Sequence, residues 1–230
     1  MRKERKIKNK YLLEDFLNDP NSDVGTGLLI TRGHGFCFTL KQPHRWGKTP
    51  EGIILLPFGG IGGKLEKNEL PSHSLHREAK EEVGSDVEII SSNGETILIS
   101  NEKIEKIYLS TKLEREPLPW IIYKSPKAEP GRKPFTNVLI YGGIFLSNQI
   151  FPLDDPAILE IGPELLIEIA EKPTSLKEFC QKGGRMISRI EIPSNGILKP
   201  IGTAKALYLC LKEKEKTILL QLLKKLNLKS

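Results

Sequence analysis

The chain has 230 residues and a formal net charge of +6 at pH 7, with 38% hydrophobic and 28% charged residues. This composition is typical of a globular protein, and the length suits one large domain or one domain with appendages. No apolar run approaches the roughly 18 residues that a membrane span needs, and the basic start does not lead into an apolar signal core. We therefore expect a cytoplasmic protein without a membrane partner.

The positive charge is concentrated at the two ends. Residues 1–10 contain six Lys or Arg against one Glu, and residues 211–230 contain six Lys against two Glu, which leaves −3 for the rest. A folded surface that binds nucleic acid would carry its basic residues on the body, so the pattern disfavours a nucleic-acid partner. The three cysteines, Cys37, Cys180 and Cys210, are far apart and form no CxxC pair, which predicts buried thiols rather than disulfides or a zinc site.

The predicted elements of the first half begin with a short helix over residues 11–17. A hairpin of strands at 24–31 and 35–40 follows, and a buried strand at 52–57 leads into a glycine loop. Residues 71–83 are predicted to be helical because a Pro stands in the first turn. A meander is expected next, with strands at 87–90, 95–100, 104–110 and 119–124.

The second half contains the best candidate for a central strand, at residues 137–147. Helices are expected from about residue 163 and over 175–184. Residues 203–228 have Leu and Ile at helical spacing and predict one long or one broken amphipathic helix, whose apolar face either covers the core or pairs with a second subunit. Strands and helices that interleave in this order predict an α/β or α+β layered domain.

Three glutamates crowd the predicted helix at 71–83. Successive helical residues turn by about 100°, so Glu78, Glu81 and Glu82 lie within roughly 100° of arc, beside an apolar stripe. Like charges at this spacing destabilise a helix unless a cation is held between them, and Mg²⁺ takes oxygen ligands. The alternative is an ordinary solvated acidic face. A phosphate-binding P-loop is excluded, because Gly63-Lys64 lacks the earlier glycine and the following hydroxyl residue.

The spacing around these glutamates resembles the Nudix box of the Nudix hydrolase family, written G-x5-E-x7-R-E-U-x-E-E-x-G-U with U for a bulky aliphatic residue. All seven fixed letters stand in residues 63–85, namely Gly63, Glu69, Arg77, Glu78, Glu81, Glu82 and Gly84. Ala79 is a small version of the first aliphatic residue, and Ser85 departs from the second at a packing position beyond the carboxylates.

The resemblance implies the Nudix fold, an α/β (α+β) architecture with a mixed β-sheet sandwiched between α-helices, here with a C-terminal helical extension. We assign this fold to residues 22–200. Residues 1–21 are expected to be a basic segment with a short helix. Residues 201–230 are expected to form an amphipathic helix that packs on the domain or at a homodimer interface.

By resemblance, Glu78, Glu81 and Glu82 are the carboxylate ligands of Mg²⁺ or Mn²⁺, and the Gly62 carbonyl is a further candidate. Arg77 and Glu69 are implied as structural partners of the cluster. The general base is either Glu81 or Glu82 or an acidic residue of a later loop. The later-loop candidates are Asp154, Asp155 and Glu160.

Substrate contacts are expected from outside the box, in two loops with cationic and aromatic side chains. Arg45, Trp46 and Lys48 lie in one loop, and Arg132 and Lys133 lie in the other. Such residues bind phosphate and stack on bases, but loop charges also serve only for solvation, and Trp46 could simply anchor its loop.

The resemblance implies a metal-dependent hydrolase that cleaves the pyrophosphate bond of a nucleoside diphosphate linked to another moiety, with a nucleotide-type small molecule as substrate. One alternative is a Nudix-fold module that binds or senses a nucleotide without hydrolysis; such a module would be expected to have lost box glutamates. Another is an RNA-directed protein that uses the basic ends. The residues of the box specify the bond that is cleaved, and the base, sugar or leaving group is left open.

Overall fold

The computed structural model describes residues 9–33, 35–126, 133–213 and 217–227. Within these ranges the strands form one mixed sheet. They are β1 Lys10–Leu12, β2 Ser22–Arg32, β3 Gly35–Leu40, β4 Gly47–Lys48, β5 Ile54–Gly59, β6 Val87–Ile90, β7 Glu95–Ser100, β8 Lys103–Ser110, β9 Ile121–Pro126, β10 Phe135–Phe145, β11 Ala157–Ile161, β12 Arg185–Ser188 and β13 Ile197–Pro200. The helices are α1 Leu13–Leu17, α2 Pro71–Val83, α3 Pro163–Glu171, α4 Leu176–Gln181, α5 Gly202–Lys212 and α6 Thr217–Asn227, with a 3₁₀ turn at Pro43–Arg45.

The long strand β10 lies at the centre of the sheet. It runs parallel to β2 and antiparallel to β9 and β6. From β2 the sheet continues through the predicted hairpin to β3 and then to β11 and β12. Strand β5 pairs with β3 and runs parallel to β13, so the glycine loop that follows β5 starts in the middle of the fold.

Helices cover both faces of this sheet. On one face, α1 and α2 contribute to a core cluster that includes Leu13, Leu75 and Val83. On the other face, α3, α5 and α6 contribute Leu166, Leu207 and Leu222 to a larger cluster. The predicted fold class, a mixed sheet between helices with a C-terminal helical extension, is confirmed.

Several local predictions need correction. The helix expected at 11–17 begins at Leu13, because Lys10–Leu12 pairs in parallel with β8. The meander is wrong for two of its strands, since β6 pairs with β10 and β9 runs parallel to β7. The short strands β11, β12 and β13 were not predicted. These segments form strands because they pair with partners that are distant in sequence, chiefly β3 and β5.

The C-terminal amphipathic segment is broken rather than continuous, with α5 and α6 as separate helices. In the part of the chain that the structure describes, no helix is long and apolar enough to cross a membrane.

Candidate active site

Helix α2 is fixed to the sheet by a fully buried stripe. Leu75, Ala79 and Val83 have no exposed surface, as the helical spacing predicts. Pro71 occupies the first turn, and Gly84 ends the helix with a left-handed φ of 68°, which glycine adopts without strain. The orientation of the helix, and therefore of its acidic face, follows from this packing.

The three glutamates of α2 differ in their contact with solvent. The Glu81 side chain is 48% exposed, that of Glu78 is 14% exposed and that of Glu82 is 9% exposed. Glu82 borders the buried stripe, whereas Glu81 lies on the outer edge of the face. The exposure of the glutamate side chains thus decreases from Glu81 to Glu82, and the acidic face is not uniformly solvated.

Arg77 holds the outer part of this cluster together. Its Nε and Nη2 donate to the two carboxylate oxygens of Glu69 at 2.9 and 3.1 Å. Its Nη1 donates to Glu78 Oε1 at 2.8 Å and to Glu81 Oε2 at 3.0 Å. The guanidinium fork therefore binds three carboxylates at once, which fixes their geometry as a point charge could not.

The inner part of the cluster is organised by a buried lysine. Lys41 Nζ lies 2.8 Å from Glu82 Oε1 and 2.8 Å from Asp155 Oδ2, and it also donates to Thr39 Oγ1 at 2.8 Å. The other oxygen of Glu82 accepts from the Gly62 N–H at 3.1 Å and from the Thr39 hydroxyl at 3.4 Å. Glu82 is therefore tied to β3, to the glycine loop and, through Lys41, to the loop before β11.

The buried positions of these groups perturb their ionisation. Burial raises the pKa of Glu82 to about 7, with the Lys41 charge opposing the rise and the Asp155 charge adding to it. Burial also raises the pKa of Glu78 against the effect of Arg77. For Lys41, burial lowers the pKa, but Glu82 and Asp155 together outweigh it and the pKa lies above its usual value. Ionisation of Glu78 and Glu82 is therefore unfavourable unless a cation is near.

The glycine loop packs directly against two of these carboxylates. Gly62 has φ +141°, and a Cβ added there would overlap the carbonyl oxygen of Thr26. A Cβ on Gly63 would overlap the carboxylate of Glu78. The loop therefore needs residues without side chains, and its bare backbone reaches the acidic face of α2.

A cleft of about 330 Å³ opens beside the glycine loop, at the start of α5. Gly62 and Gly63 belong to its wall, and three cationic side chains line it, those of Lys41, Arg45 and Lys64. Asp23 is the acidic residue among its lining side chains. Arg45 suits an anion such as a phosphate, whereas Lys41 is paired with Glu82 and Asp155, and Lys64 lies 3.9 Å from Asp23.

The structure brings one of the predicted substrate contacts to this cleft, Arg45. The Trp46 indole N–H donates to the carbonyl oxygen of Lys41 at 2.6 Å, so its side chain anchors the loop that follows β3. Lys48 is exposed in β4 and is not among the residues that line the cleft. Arg132 lies outside the described residues.

The three later-loop acids occupy different positions. Asp155 shares Lys41 with Glu82 and is buried. Asp154 is exposed, and its backbone carbonyl accepts from the Gln42 and Arg189 side chains. Glu160 pairs with Arg32 at 3.0 Å and lines a separate cavity next to α3. Asp155 alone of the three is hydrogen-bonded into the network of Glu82.

Sequence reasoning missed Lys41 and Thr39. Thr39 lies in β3, and Lys41 is the first residue after that strand. A buried lysine next to an apolar strand requires an acidic partner, and that was the available signal. The identity of the partners, Glu82 and Asp155, comes only from the tertiary structure.

The donor set suits a hard divalent cation in its chemistry. Carboxylate and carbonyl oxygens are the ligands that Mg²⁺ and Mn²⁺ prefer, and burial of Glu78 and Glu82 raises their pKa values, a cost that a bound cation would remove. Across the described ranges, no three His, Cys, Asp or Glu side chains are already grouped so as to hold a metal ion. Arg77 and Lys41 each hold box carboxylates with their own charge.

Residues 21–120 match the family model of the NUDIX domain, whereas none of the curated proteins matches the sequence significantly. The match contains the whole glutamate pattern of residues 63–85. The match to a NUDIX domain supports the conclusion that this protein is a hydrolase that acts on pyrophosphate bonds.

Solved structures to which this chain is similar include three NUDIX or MutT proteins. A NUDIX-family hydrolase from Clostridium perfringens has 18% identity and a TM-score of 0.39, covering 64% of this chain and 85% of that one. A MutT NUDIX hydrolase from Burkholderia pseudomallei has 15% identity and a TM-score of 0.38, covering 84% and 98%. A MutT protein from Methanosarcina mazei has 12% identity and a TM-score of 0.38, covering 64% and 81%. Similarity at this level carries no argument about the substrate. Residues 21–120 thus match a NUDIX domain, which confirms the resemblance to the Nudix hydrolases that the glutamate spacing indicates.

Proposed function

We propose that this protein is a Mg²⁺- or Mn²⁺-dependent hydrolase that cleaves the pyrophosphate bond of a nucleoside diphosphate linked to another moiety, such as an ADP-ribose-like molecule or another nucleotide. The observation that carries the proposal is the complete carboxylate set of α2, held against a glycine loop and beside a cleft with cationic walls. Metal-assisted hydrolysis of a diphosphate requires groups that hold the cation, the diphosphate and the attacking water close together.

Glu78, Glu81 and Glu82 are the proposed carboxylate ligands, and the Gly62 carbonyl is the proposed backbone ligand. When bound, the cation neutralises charge on the diphosphate and lowers the pKa of the attacking water. Arg77 holds Glu78 and Glu81 in place through its two hydrogen bonds to them. Either Glu81, Glu82 or Asp155 takes the proton of the attacking water. Asp155 is favoured among the later-loop acids by its contact with Lys41.

Arg45 is the proposed phosphate contact in the cleft. Trp46 supports this arrangement through its hydrogen bond to the Lys41 carbonyl. Lys48 and Arg132 remain proposed contacts for the part of the substrate that extends beyond the cleft. Arginine is suited to this role because its planar fork binds two phosphate oxygens at once.

The domain proposed to do this work spans residues 22–200, since β10, β11 and β13 all pair with strands of the first sixty residues. Residues 1–21 and 201–230 are its extensions. A cytoplasmic location and a homodimer remain part of the proposal.

Two substitutions test the proposed chemistry. Glu81→Gln and Glu82→Gln each remove one charge without a large change of volume, and we expect either to abolish most Mg²⁺-dependent release of phosphate species. ADP-ribose, dinucleotides, coenzyme A derivatives and nucleoside triphosphates are suitable substrates for the assay. Glu66→Gln is the matched control, because Glu66 is an exposed glutamate of the same stretch that falls outside the box pattern.

Circular dichroism and thermal unfolding establish whether the variants are folded. This matters most for Glu82→Gln, which leaves Lys41 with Asp155 as its only charged partner. Folded Glu81→Gln and Glu82→Gln proteins with the turnover of the Glu66→Gln control would refute the proposal.

A further inference from the structure

The ammonium group of Lys41 is a cation already present at the proposed metal face. Lys41 and its two acidic partners are buried side chains that meet at distances of 2.8 Å. A lysine ammonium has three N–H donors, and here they are used by Glu82, Asp155 and Thr39. In this arrangement Lys41 has no donor left for a substrate phosphate.

The same hydrogen bonds engage both carboxylate oxygens of Glu82, which is a proposed metal ligand. Glu82 Oε1 accepts from Lys41, and Oε2 accepts from the Gly62 N–H and the Thr39 hydroxyl. A fixed positive charge 2.8 Å from one oxygen repels a divalent cation that approaches the same carboxylate, and in a buried site this repulsion is screened only weakly. A metal ion therefore has to compete with Lys41 for Glu82.

Asp155 gives Lys41 a second anchor that does not depend on Glu82. Its backbone is held by Arg189, whose Nε donates to the Asp155 carbonyl at 3.2 Å. Its side chain approaches Lys41 because β3 and β11 are antiparallel neighbours, with Leu40 opposite Ala157. Lys41 can thus keep one charged partner while Glu82 turns to another cation.

We propose that Lys41 is an internal counterion and positioning residue of the metal face: it holds Glu82 in the metal-free protein and releases Glu82 to the incoming divalent cation while it stays paired with Asp155. This inference rests on the proposed function, since it assumes that Glu82 is a metal ligand. It assigns Lys41 a role toward the metal rather than toward the substrate phosphate. The expected consequence is that Lys41 weakens metal binding and that Asp155 offsets part of this weakening.

The first test is direct binding of Mn²⁺ to the full-length protein, followed by the loss of the electron paramagnetic resonance signal of free Mn²⁺. Lys41→Met keeps the aliphatic stem and removes the charge. We expect it to bind Mn²⁺ about tenfold or more tightly than the wild type, because a charge at this distance changes the affinity of a carboxylate for another cation by about one order of magnitude or more. Lys64→Met is the matched control, since it removes one lysine charge from the same cleft at an exposed position.

Thermal unfolding gives a second readout that does not depend on turnover. Without Lys41, Glu82 and Asp155 are two buried carboxylates with no cation between them, so metal-free Lys41→Met should unfold at a lower temperature than the wild type. Added Mn²⁺ should raise its unfolding temperature by more than it raises that of the wild type or of Lys64→Met.

A double-mutant cycle keeps the inference testable if Lys41→Met folds poorly without metal. Asp155→Asn should weaken Mn²⁺ binding when Lys41 is present, because Lys41 then depends on Glu82 alone. In the Lys41→Met background, with metal present throughout, the same substitution should have little effect. An Asp155→Asn effect of equal size in both backgrounds would mean that Asp155 attracts the metal directly, and this would overturn the assigned role of Lys41.

Equal or weaker Mn²⁺ binding by folded Lys41→Met, compared with Lys64→Met, would also overturn the inference. A raised KM with unchanged metal binding would assign Lys41 to the substrate instead.

Failure of the inference is distinguishable from failure of the proposed function. A wild-type protein that binds no Mn²⁺ and hydrolyses no pyrophosphate contradicts the proposed function, whereas a wild type that does both, with no effect of Lys41→Met on binding, contradicts the inference alone.

Discussion

Arg77 is the residue that makes the acidic face of α2 a defined arrangement. Its guanidinium bridges Glu69, Glu78 and Glu81 over distances of 2.8 to 3.1 Å. A lysine at this position would carry the same charge but only one nitrogen, and it could not span the three carboxylates.

Arg77→Lys should therefore lower both metal affinity and kcat, each by about 10- to 100-fold, the range typical of residues that orient metal ligands. Calorimetric titration with Mg²⁺ and steady-state kinetics measure the two effects. Lys80→Arg serves as the control, because Lys80 lies on the same helix and pairs with Asp86, outside the carboxylate cluster. Full affinity and turnover in Arg77→Lys would show that Arg77 does not position these carboxylates.

The sequence indicated the clustering of the α2 carboxylates but not their contacts with Lys41, for a physical reason. Arg77, Glu78, Glu81 and Glu82 lie within six residues on one helix, so their proximity follows from helical geometry alone. Lys41 and Asp155 are 114 residues apart, and their meeting depends on the pairing of β3 with β11. The contact of Lys41 with Glu82 likewise depends on how α2 packs on the sheet.

At the scale of elements, α2 receives its N-terminal cap from another part of the chain. Its own N-cap position is Leu70, which makes no side-chain hydrogen bond to the helix. Glu116, buried in the loop before β9, instead accepts from the Ser72 N–H at 2.9 Å and from the Ser72 hydroxyl at 2.8 Å. A carboxylate at this end also interacts favourably with the helix dipole.

Glu116→Ala should lower the free energy of unfolding by about 1–2 kcal/mol, as the loss of a helix cap does. Glu116→Gln should cost less, because an amide retains one acceptor. Chemical denaturation measures both changes, and Glu114→Ala is the control, since the Glu114 side chain in the same loop is 88% exposed. Equal stability of Glu116→Ala and Glu114→Ala would contradict a capping role for Glu116.

The elements themselves were predictable to different degrees. Helix α2 has the predicted bounds because Pro71 and Gly84 are local signals at its two ends. Strand β11 was missed, because the sequence pattern places regular structure in this region only from about residue 163, as a helix. Five residues of apolar sequence fit either structure, and pairing with Phe36–Leu40 of β3 decides in favour of the strand.

At the scale of the whole molecule, the C-terminal helices are part of the core although the NUDIX match ends at residue 120. The larger core cluster extends from Leu29 near the start of the chain to Leu226 near its end. Leu222 of α6 is fully buried, and it packs so closely over β10 that a Cβ on Gly142 would lie 2.6 Å from its Cδ1. The glycine in the central strand thus provides the space that the last helix fills.

Leu222→Ala should consequently destabilise the entire fold, by about 2–5 kcal/mol, as the truncation of a buried leucine does. Leu220 is the matched control on the same helix: it is 51% exposed, so Leu220→Ala should change stability by little. Denaturation midpoints measure both variants, and sedimentation velocity shows whether either changes the mass of the particle. If the apolar face of α6 served mainly to join two subunits, Leu222→Ala would lower the mass and leave the unfolding of the subunit nearly unchanged. Packing of Leu222 against Gly142 within one chain predicts the reverse, a less stable protein of the same mass.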